Sequence, residues 1–249
     1  MNWEEKIQLL REGFHKINLS LEEHQYEQFI HYYEMLIERN KVMNLTSITE
    51  FEEVIHKHFV DSVIYFEKIV DNASNIKLID MGTGAGFPGI PIKIVYPSVE
   101  VVLLDSLNKR IKFLEEVIQA LDLNNITAIH SRAEDAGRNP EYREQFDCCV
   151  SRAVANLATL SEYCLPFVKT GGYFVSYKSG EVDEELEQSK HALKLLGGEI
   201  EEQKKFVLPG TNISRSILYI KKKTPIAKRY PRKAGLPSKE PLKTSIHHS

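Results

Sequence analysis

The sequence predicts an α/β protein: a doubly wound, Rossmann-like, mainly parallel sheet with a helical N-terminal extension. Three observations predict it. An apolar run at 76–79 ends in Asp80 and is followed by glycines at 82, 84 and 86, the pattern of a buried strand turning into a glycine-rich loop. Further on, short strand-like runs alternate with helical segments, as parallel sheets built from strand–helix–strand units do. Before the loop, the first seventy residues carry apolar residues at helical spacing.

The elements follow in order. Trp3, Ile7, Leu10, Phe14 and Ile17 form one face of a first helix over 3–17. Ser20 with Glu23 reads as a capping box for a second helix over 21–39, whose apolar face is Tyr26, Phe29, Ile30, Tyr33, Leu36 and Ile37. Thr49 with Glu52 starts a third helix running to about Val70, and the polar stretch 71–75 is a joint. After the glycine loop, Val99–Leu104 is a strand ending at Asp105, with Ser106 placed to cap a helix over 107–121. Ile126–His130, Phe146–Ser151 and Gly172–Tyr177 are further strands, and 186–196 is helical. Glu199–Leu208 and Ile213–Lys221 form a closing antiparallel pair, so the sheet has seven strands and an antiparallel edge. The expected organisation is a helical extension at 1–70, a ligand-binding domain at 71–223 and a basic tail at 224–249.

The loop itself narrows the ligand. A dinucleotide loop spaces its glycines G-x-G-x-x-G, so that a pyrophosphate sits on a helix N-terminus. Here the spacing is D-x-G-x-G-x-G, with the Asp80 carboxylate two residues before Gly82. That acid repels a pyrophosphate and suits a cationic ligand such as the ammonium of a methionine moiety. The loop therefore favours S-adenosylmethionine over NAD. Asp105, 25 residues beyond Asp80 at the end of the second strand, is placed to accept hydrogen bonds from ribose hydroxyls. Ala133 and Glu134 follow the third strand, where an adenine ring edge would be read. Arg152 closes the fourth strand, and an arginine there is a poor core residue because an unpaired guanidinium is costly to bury. It can hold the cofactor end, an RNA phosphate or a guanine edge, or pair with Asp80 or Glu134.

Absences add chemistry. The fourth strand does not end in Asn/Asp-Pro-Pro-Tyr/Phe, the device that orients an exocyclic amine, and no cysteine sits in a Pro-Cys loop to act as a nucleophile. A methyl acceptor should therefore be nucleophilic already, as guanine N7 is. Catalysis is then expected to be positioning, with no catalytic acid or base and with Arg152 the candidate for that role. His56 and His58 point about 200° apart on a helix and cannot share a metal ion, whereas His58 and Asp61 can pair.

Composition sets the setting. Net charge is −3 over 249 residues, yet residues 221–243 hold nine basic groups and one acid. A basic tail on an acidic body predicts a polyanion contact made by the tail. Three cysteines without zinc spacing, no run of 18 apolar residues and no leader pattern lead to the expectation of a cytoplasmic protein without metal or membrane partner.

Taken together, several segments resemble one family, the bacterial small-subunit (16S) ribosomal RNA methyltransferase G family, also called glucose-inhibited division protein B. They are 43–48, 58–62, 80–91, 105–110, 132–134, 151–155 and 230–235, in the family's order. The resemblance implies a class I S-adenosylmethionine-dependent methyltransferase fold and methylation of guanine N7 at one guanosine of 16S ribosomal RNA, free or in the small subunit. It implies no obligate protein partner. The cofactor set is then Asp80, Gly82, Gly84, Gly86, Phe87, Asp105, Ser106, Leu107, Ala133, Glu134 and Arg152. The RNA set is Arg152, Lys178, Arg229, Arg232 and Lys233. Two departures stand out: residue 151 is Ser where Ala is usual, and 212–215 lacks the family's Gly-Glu-Arg run, which weakens an RNA role for Arg215. A small-molecule methyltransferase and a non-catalytic RNA-binding module of the same fold remain alternatives, with an NAD oxidoreductase further off.

Overall fold

A computed structural model describes residues 1–70, 75–152 and 155–242. Most of the expected joint at 71–75, together with Ala153, Val154 and Lys243, lies outside the described residues. Seven strands form one sheet: β1 (Lys77–Met81), β2 (Glu100–Asp105), β3 (Ile126–His130), β4 (Phe146–Ser151), β5 (Val168–Ser179), β6 (Gly198–Val207) and β7 (Ser214–Lys222). Their order is β3-β2-β1-β4-β5-β7-β6. The first five are parallel, and β7 pairs antiparallel with both β5 and β6. This is the class I methyltransferase sheet with its antiparallel edge. The chain order reverses at β1, which pairs with β2 on one side and β4 on the other, so the crevice for a ligand opens at the carboxyl end of β1.

Alternation along the strands builds two cores, one on each face. Leu78, Leu103, Cys148, Val150 and Tyr219 face one apolar cluster, whereas Ile79, Leu104, Cys149, Phe174 and Leu218 face the other. The adjacent cysteines thus point to opposite faces, both fully buried.

The extension packs on the first of these faces. It comprises α1 (Trp3–His15), α2 (Glu23–Met43), then α3 (Phe51–Val54), a π-helical segment (Ile55–Val60) and α4 (Asp61–Val63) running on as one bent helix, and α5 (Glu67–Val70). Leu10, Phe14, Phe29, Tyr32 and Phe59 join the main core. Two sequence expectations shift here. The capping box of α2 is Glu22 with Gln25, in place of Ser20 with Glu23. The single helix expected over 49–70 is interrupted, because Ile64 leaves helical geometry and Tyr65 takes φ 61°. The interruption frees backbone for the body: the Tyr65 carbonyl accepts from the Tyr219 hydroxyl at 2.7 Å.

The remaining helices are α6 (Gly89–Val95), α7 (Asn108–Ala120), α8 (Ala133–Ala136), α9 (Leu157–Cys164), α10 (Asp183–Leu195) and α11 (Leu236–Lys239). Ser106 does not cap α7. The cap residue is Leu107, whose N–H donates to Asp105 Oδ1 at 2.9 Å. The tail at 224–242 folds back on the body, burying Ile226, Tyr230, Pro231 and Pro237.

The extension and the glycine loop are fitted to one another at Gly86. Its φ is 107°, and a Cβ there would lie 2.6 Å from the Tyr32 hydroxyl and 2.5 Å from Ile90 Cδ1. The Tyr32 hydroxyl in turn donates to the Ala85 carbonyl at 2.6 Å. Gly86→Ala should therefore lower the unfolding free energy by about 1–3 kcal/mol, through strain at positive φ and overpacking. Urea denaturation measures this, and an unchanged midpoint would refute the fit.

Candidate active site

Two clefts open along the sheet edge where the parallel strands end. The first, of 460 Å³, is built from the ends of β1, β2 and β3. It is lined by Gly82, Asp105, Ser106, Leu107, Ala133 and Glu134, with Tyr163 and Gly235 on the outer side. Asp105 is buried at 3% exposure and organises this cleft. Its Oδ2 accepts from the Gly84 N–H at 3.0 Å and from Arg110 at 3.2 Å, tying the glycine loop to the end of β2. Gly82 and Gly84 have φ of 72° and 63°, and a Cβ on either would meet nothing within 4 Å. The loop backbone thus borders open space, the condition for close approach by a ligand.

Asp80 sits deeper than a direct contact with a ligand requires, which leaves the contact through water. It is fully buried beneath the loop, so it does not itself meet a ligand's ammonium across the cleft. Its Oδ2 accepts from Thr83 Oγ1 at 2.6 Å and from the Gly89 N–H at 2.8 Å, folding the loop back over the strand. Its Oδ1 is buried without a hydrogen-bond partner, and burial pushes the carboxyl pKa up to about 7. Gly86, unlike Gly82 and Gly84, has the Tyr32 hydroxyl and Ile90 where a Cβ would be.

The second cleft, of 400 Å³, lies at the ends of β4, β5 and β7 under the extension. Lys57, His58, Asp61, Arg152, Lys178 and Arg215 are among its lining residues. Here the bent helix delivers His58 and Asp61 to Arg152. The Arg152 guanidinium donates to His58 Nδ1 at 3.0 Å and to the Lys57 carbonyl at 3.2 Å, and lies 3.5 Å from Asp61 Oδ2. Asp61 is further held by Arg215 Nε, at 3.1 and 3.2 Å from its two oxygens. Since His58 Nδ1 accepts, the ring proton sits on Nε2 and is donated to Thr46 Oγ1 at 2.8 Å. Thr46 is itself set by Asn40, whose Oδ1 accepts the Thr46 N–H at 2.9 Å just after Asn44 ends α2 at φ 49°. Burial first, then the nearby Arg152 charge, drives the His58 pKa down to about 3, so the ring is neutral at ordinary pH.

Phe87 gives the Arg152 cluster an aromatic face. Its ring stacks on His58 with centroids 4.4 Å apart and planes at 13°, and the Arg152 guanidinium carbon lies 5.0 Å from the same centroid. Ser151 also has a role that its sequence position did not suggest. Its hydroxyl donates to the Met81 carbonyl at 2.9 Å, joining β4 to the start of the glycine loop.

Comparison with known proteins gives the family. The model of the GidB family, described as rRNA small subunit methyltransferase G, matches residues 25–215. The chain belongs to this family. Ribosomal RNA small subunit methyltransferase G of Lachnoclostridium phytofermentans is 54% identical over 231 residues, covering 93% of this chain and 95% of that protein. The protein of the same name from Acetivibrio thermocellus is 52% identical, with 94% and 96% covered. Among solved structures, the cyclase SpnF superposes with a TM-score of 0.55 at 11% identity, covering 84% of this chain and 98% of that one, which speaks to the fold alone.

Within this GidB-family chain, the expected RNA residues divide. Arg229 and Lys233 are exposed. Lys178 is largely buried and donates to Glu185 at 2.7 Å and to the Ala155 carbonyl at 2.8 Å. Arg232 is clasped by the fully buried Glu162. Both cations serve internal pairing. Tyr32, Thr46, Glu162 and Tyr163 were not singled out from sequence. The one available signal was Glu162, a lone acid in the otherwise uncharged helix 157–164, which demands a buried partner. Among the described residues no acid, His or Cys cluster could hold a metal, and no helix is long and apolar enough to cross a membrane.

His58 and Asp80 make opposite contributions to stability as pH changes. His58 has a depressed folded pKa, so its contribution is present above the unfolded value near 6.5 and is lost as pH falls toward 3. Asp80 has a raised folded pKa, so its contribution is present below the unfolded value of 3.8 and is lost as pH rises toward 7. Between about pH 4 and 6.5 the two slopes oppose each other. Replacing the imidazole in His58→Gln should leave the Asp80 slope uncompensated. The stability deficit of the variant relative to wild type should then shrink by up to about 1.4 kcal/mol per pH unit as pH falls from 6.5 to 4. Urea titrations at pH 7, 6 and 5 read this slope, and a deficit independent of pH would refute it.

Proposed function

We propose that the chain transfers a methyl group from S-adenosylmethionine to N7 of one guanosine in 16S ribosomal RNA, a reaction of the cytoplasm. The observation that carries this reading is a pair of clefts at the strand ends, one around Asp105 and the glycine loop and one around Arg152, in a chain of an rRNA small-subunit methyltransferase family. The first cleft fits the donor. It combines open space above Gly82 and Gly84, a buried carboxylate at Asp105 and the exposed rim of Ser106 and Leu107. Asp105 would accept from the ribose hydroxyls, and the Ala133–Glu134 turn would border the adenine. Bound S-adenosylmethionine supplies a methyl group already activated by the sulfonium charge.

The chain's own work is then orientation. Guanine N7 carries an exposed lone pair and needs no base to remove a proton. In keeping with that, His58 has its Nδ1 occupied by Arg152 and its Nε2 by Thr46. The cysteines, all fully buried, offer no nucleophile. Arg152, fixed by Asp61, His58 and the Phe87 ring, presents a rigid guanidinium in the wall of the second cleft, suited to a guanine edge or a phosphate. The second cleft is open and flanked by Lys57, Arg152 and Arg215, features that suit a flipped base of an RNA better than a small apolar substrate.

Labelled S-adenosylmethionine incubated with unmethylated small ribosomal subunits or 16S RNA tests the proposal: label should reach one guanine as N7-methylguanine. Label on an exocyclic amine, on a ribose or nowhere would refute it. Asp105→Ala should weaken S-adenosylmethionine binding at least about tenfold, about 1.4 kcal/mol, with RNA affinity unchanged in gel-shift titration. Arg152→Ala should lower the methylation rate more than it lowers cofactor affinity. Equal losses in both would assign Arg152 to the donor alone.

A further inference from the structure

The basic tail is a strap fastened to the body at successive points. Arg143 donates to the carbonyls of Ile226 and Tyr230 at 3.0 and 2.7 Å. Arg138 donates to the Pro231 carbonyl at 3.0 Å. Thr159 Oγ1 donates to the Pro237 carbonyl at 3.0 Å. The central fastening is ionic. Glu162 on α9 is fully buried, and every hydrogen bond recorded to its carboxylate comes from Arg232. The Arg232 backbone N–H donates to Oε1 at 2.8 Å, and the guanidinium spans both oxygens at 2.7–3.1 Å. Three residues further on, the Gly235 N–H donates to Glu134 Oε1 at 2.7 Å. Glu134 is 6% exposed and has no other recorded hydrogen bond. Gly235 and Glu134 both line the first cleft, beside Tyr163, the residue that follows Glu162.

These contacts describe two buried carboxylates of the sheet domain whose hydrogen-bond donors come from the strap. A buried carboxylate without a donor is strongly unfavourable, so the strap's register is tightly specified. The fork of Arg232 on Glu162 sets where residue 235 lands, and residue 235 sets where the Glu134 carboxylate points. We propose that Glu162 and Arg232 are positioning residues for the donor cleft: their ion pair seats the strap so that the Gly235 N–H fixes Glu134 and completes the outer wall. Arg232 accordingly serves the nucleoside end of the reaction, not the RNA. The proposal rests on the reading that this cleft takes S-adenosylmethionine.

The test uses the full chain, wild type, Arg232→Ala and Arg232→Lys. S-adenosylmethionine affinity is measured by calorimetry, 16S RNA affinity by gel shift, and amide hydrogen exchange over 233–240 without ligand. Arg232→Ala should weaken S-adenosylmethionine binding about tenfold, change RNA affinity less than about threefold and speed exchange in the strap. Arg232→Lys keeps the charge but loses the fork, and should give an intermediate loss of about threefold while remaining folded if the alanine variant does not. Wild-type S-adenosylmethionine affinity in a variant whose strap exchanges faster would overturn the proposal, as would a loss confined to RNA affinity. Absence of binding by the wild-type chain would overturn the reading of the cleft itself, and the proposal with it.

Discussion

Five carboxylates are buried among the described residues, Asp61, Asp80, Asp105, Glu134 and Glu162, and their need for donors organises everything near the two clefts. Removing a carboxylate from water is tolerable only where hydrogen bonds or cations replace the lost hydration. Each acid recruits a different segment. Asp61 recruits Arg152 from the end of β4 and Arg215 from β7. Asp80 recruits Thr83 and Gly89 and so folds the loop. Asp105 recruits Gly84, Leu107 and Arg110. Glu134 and Glu162 recruit the tail. Helical extension, glycine loop, strand ends and strap are thereby held to a common geometry by bonds that sliding any one segment would break.

Much of this was legible in the sequence because it follows from local periodicity. The seven strands, their alternation and the placement of Asp80 and Asp105 at strand ends follow from apolar runs and turn residues, and the structure has them where expected. What the sequence hid depends on tertiary partners. The interruption of the helix at 64–65 has no proline or glycine to announce it, and lies where the Tyr65 carbonyl meets Tyr219, 154 residues away. The basic tail read as a solvated polyanion contact because charge density says nothing about pairing. Only the three-dimensional proximity of Arg232 to Glu162, 70 residues apart, shows where that cation is used. Asp80 likewise read as a ligand-facing acid, since its position in the motif is visible but its orientation beneath the loop is not.

The two clefts differ in how their walls are charged, and that difference suits a division of labour. In the wall of the first, Asp105 and Glu134 are matched by Arg110 and Arg132, with the buried Asp80 beneath. The second sets Lys57, Arg152, Lys178 and Arg215 against Asp61 and Glu185. The excess of cations in the second suits a polyanion. In the second, the Arg152 guanidinium lies against the Phe87 ring. An arginine stacked on an aromatic face keeps its charge without needing an unshared carboxylate, and Arg152 shares Asp61 with Arg215.

The tail's charges need not all serve one purpose. Lys222, at the end of β7, is fully buried, donating to the Leu165 carbonyl and pairing with Glu144, and Arg232 is bound to Glu162, so two cations of the basic run at 221–243 are structural. Lys228, Arg229, Lys233 and Lys239 stay exposed on the same strap. Exposed lysines and arginines attract a polyanion at long range, whatever their fine geometry. The strap therefore carries exposed cations and also, through Gly235, the hydrogen bond to the buried Glu134. On the proposed function, a polyanion drawn to the outer charges engages the same short length of chain whose register fixes Glu134.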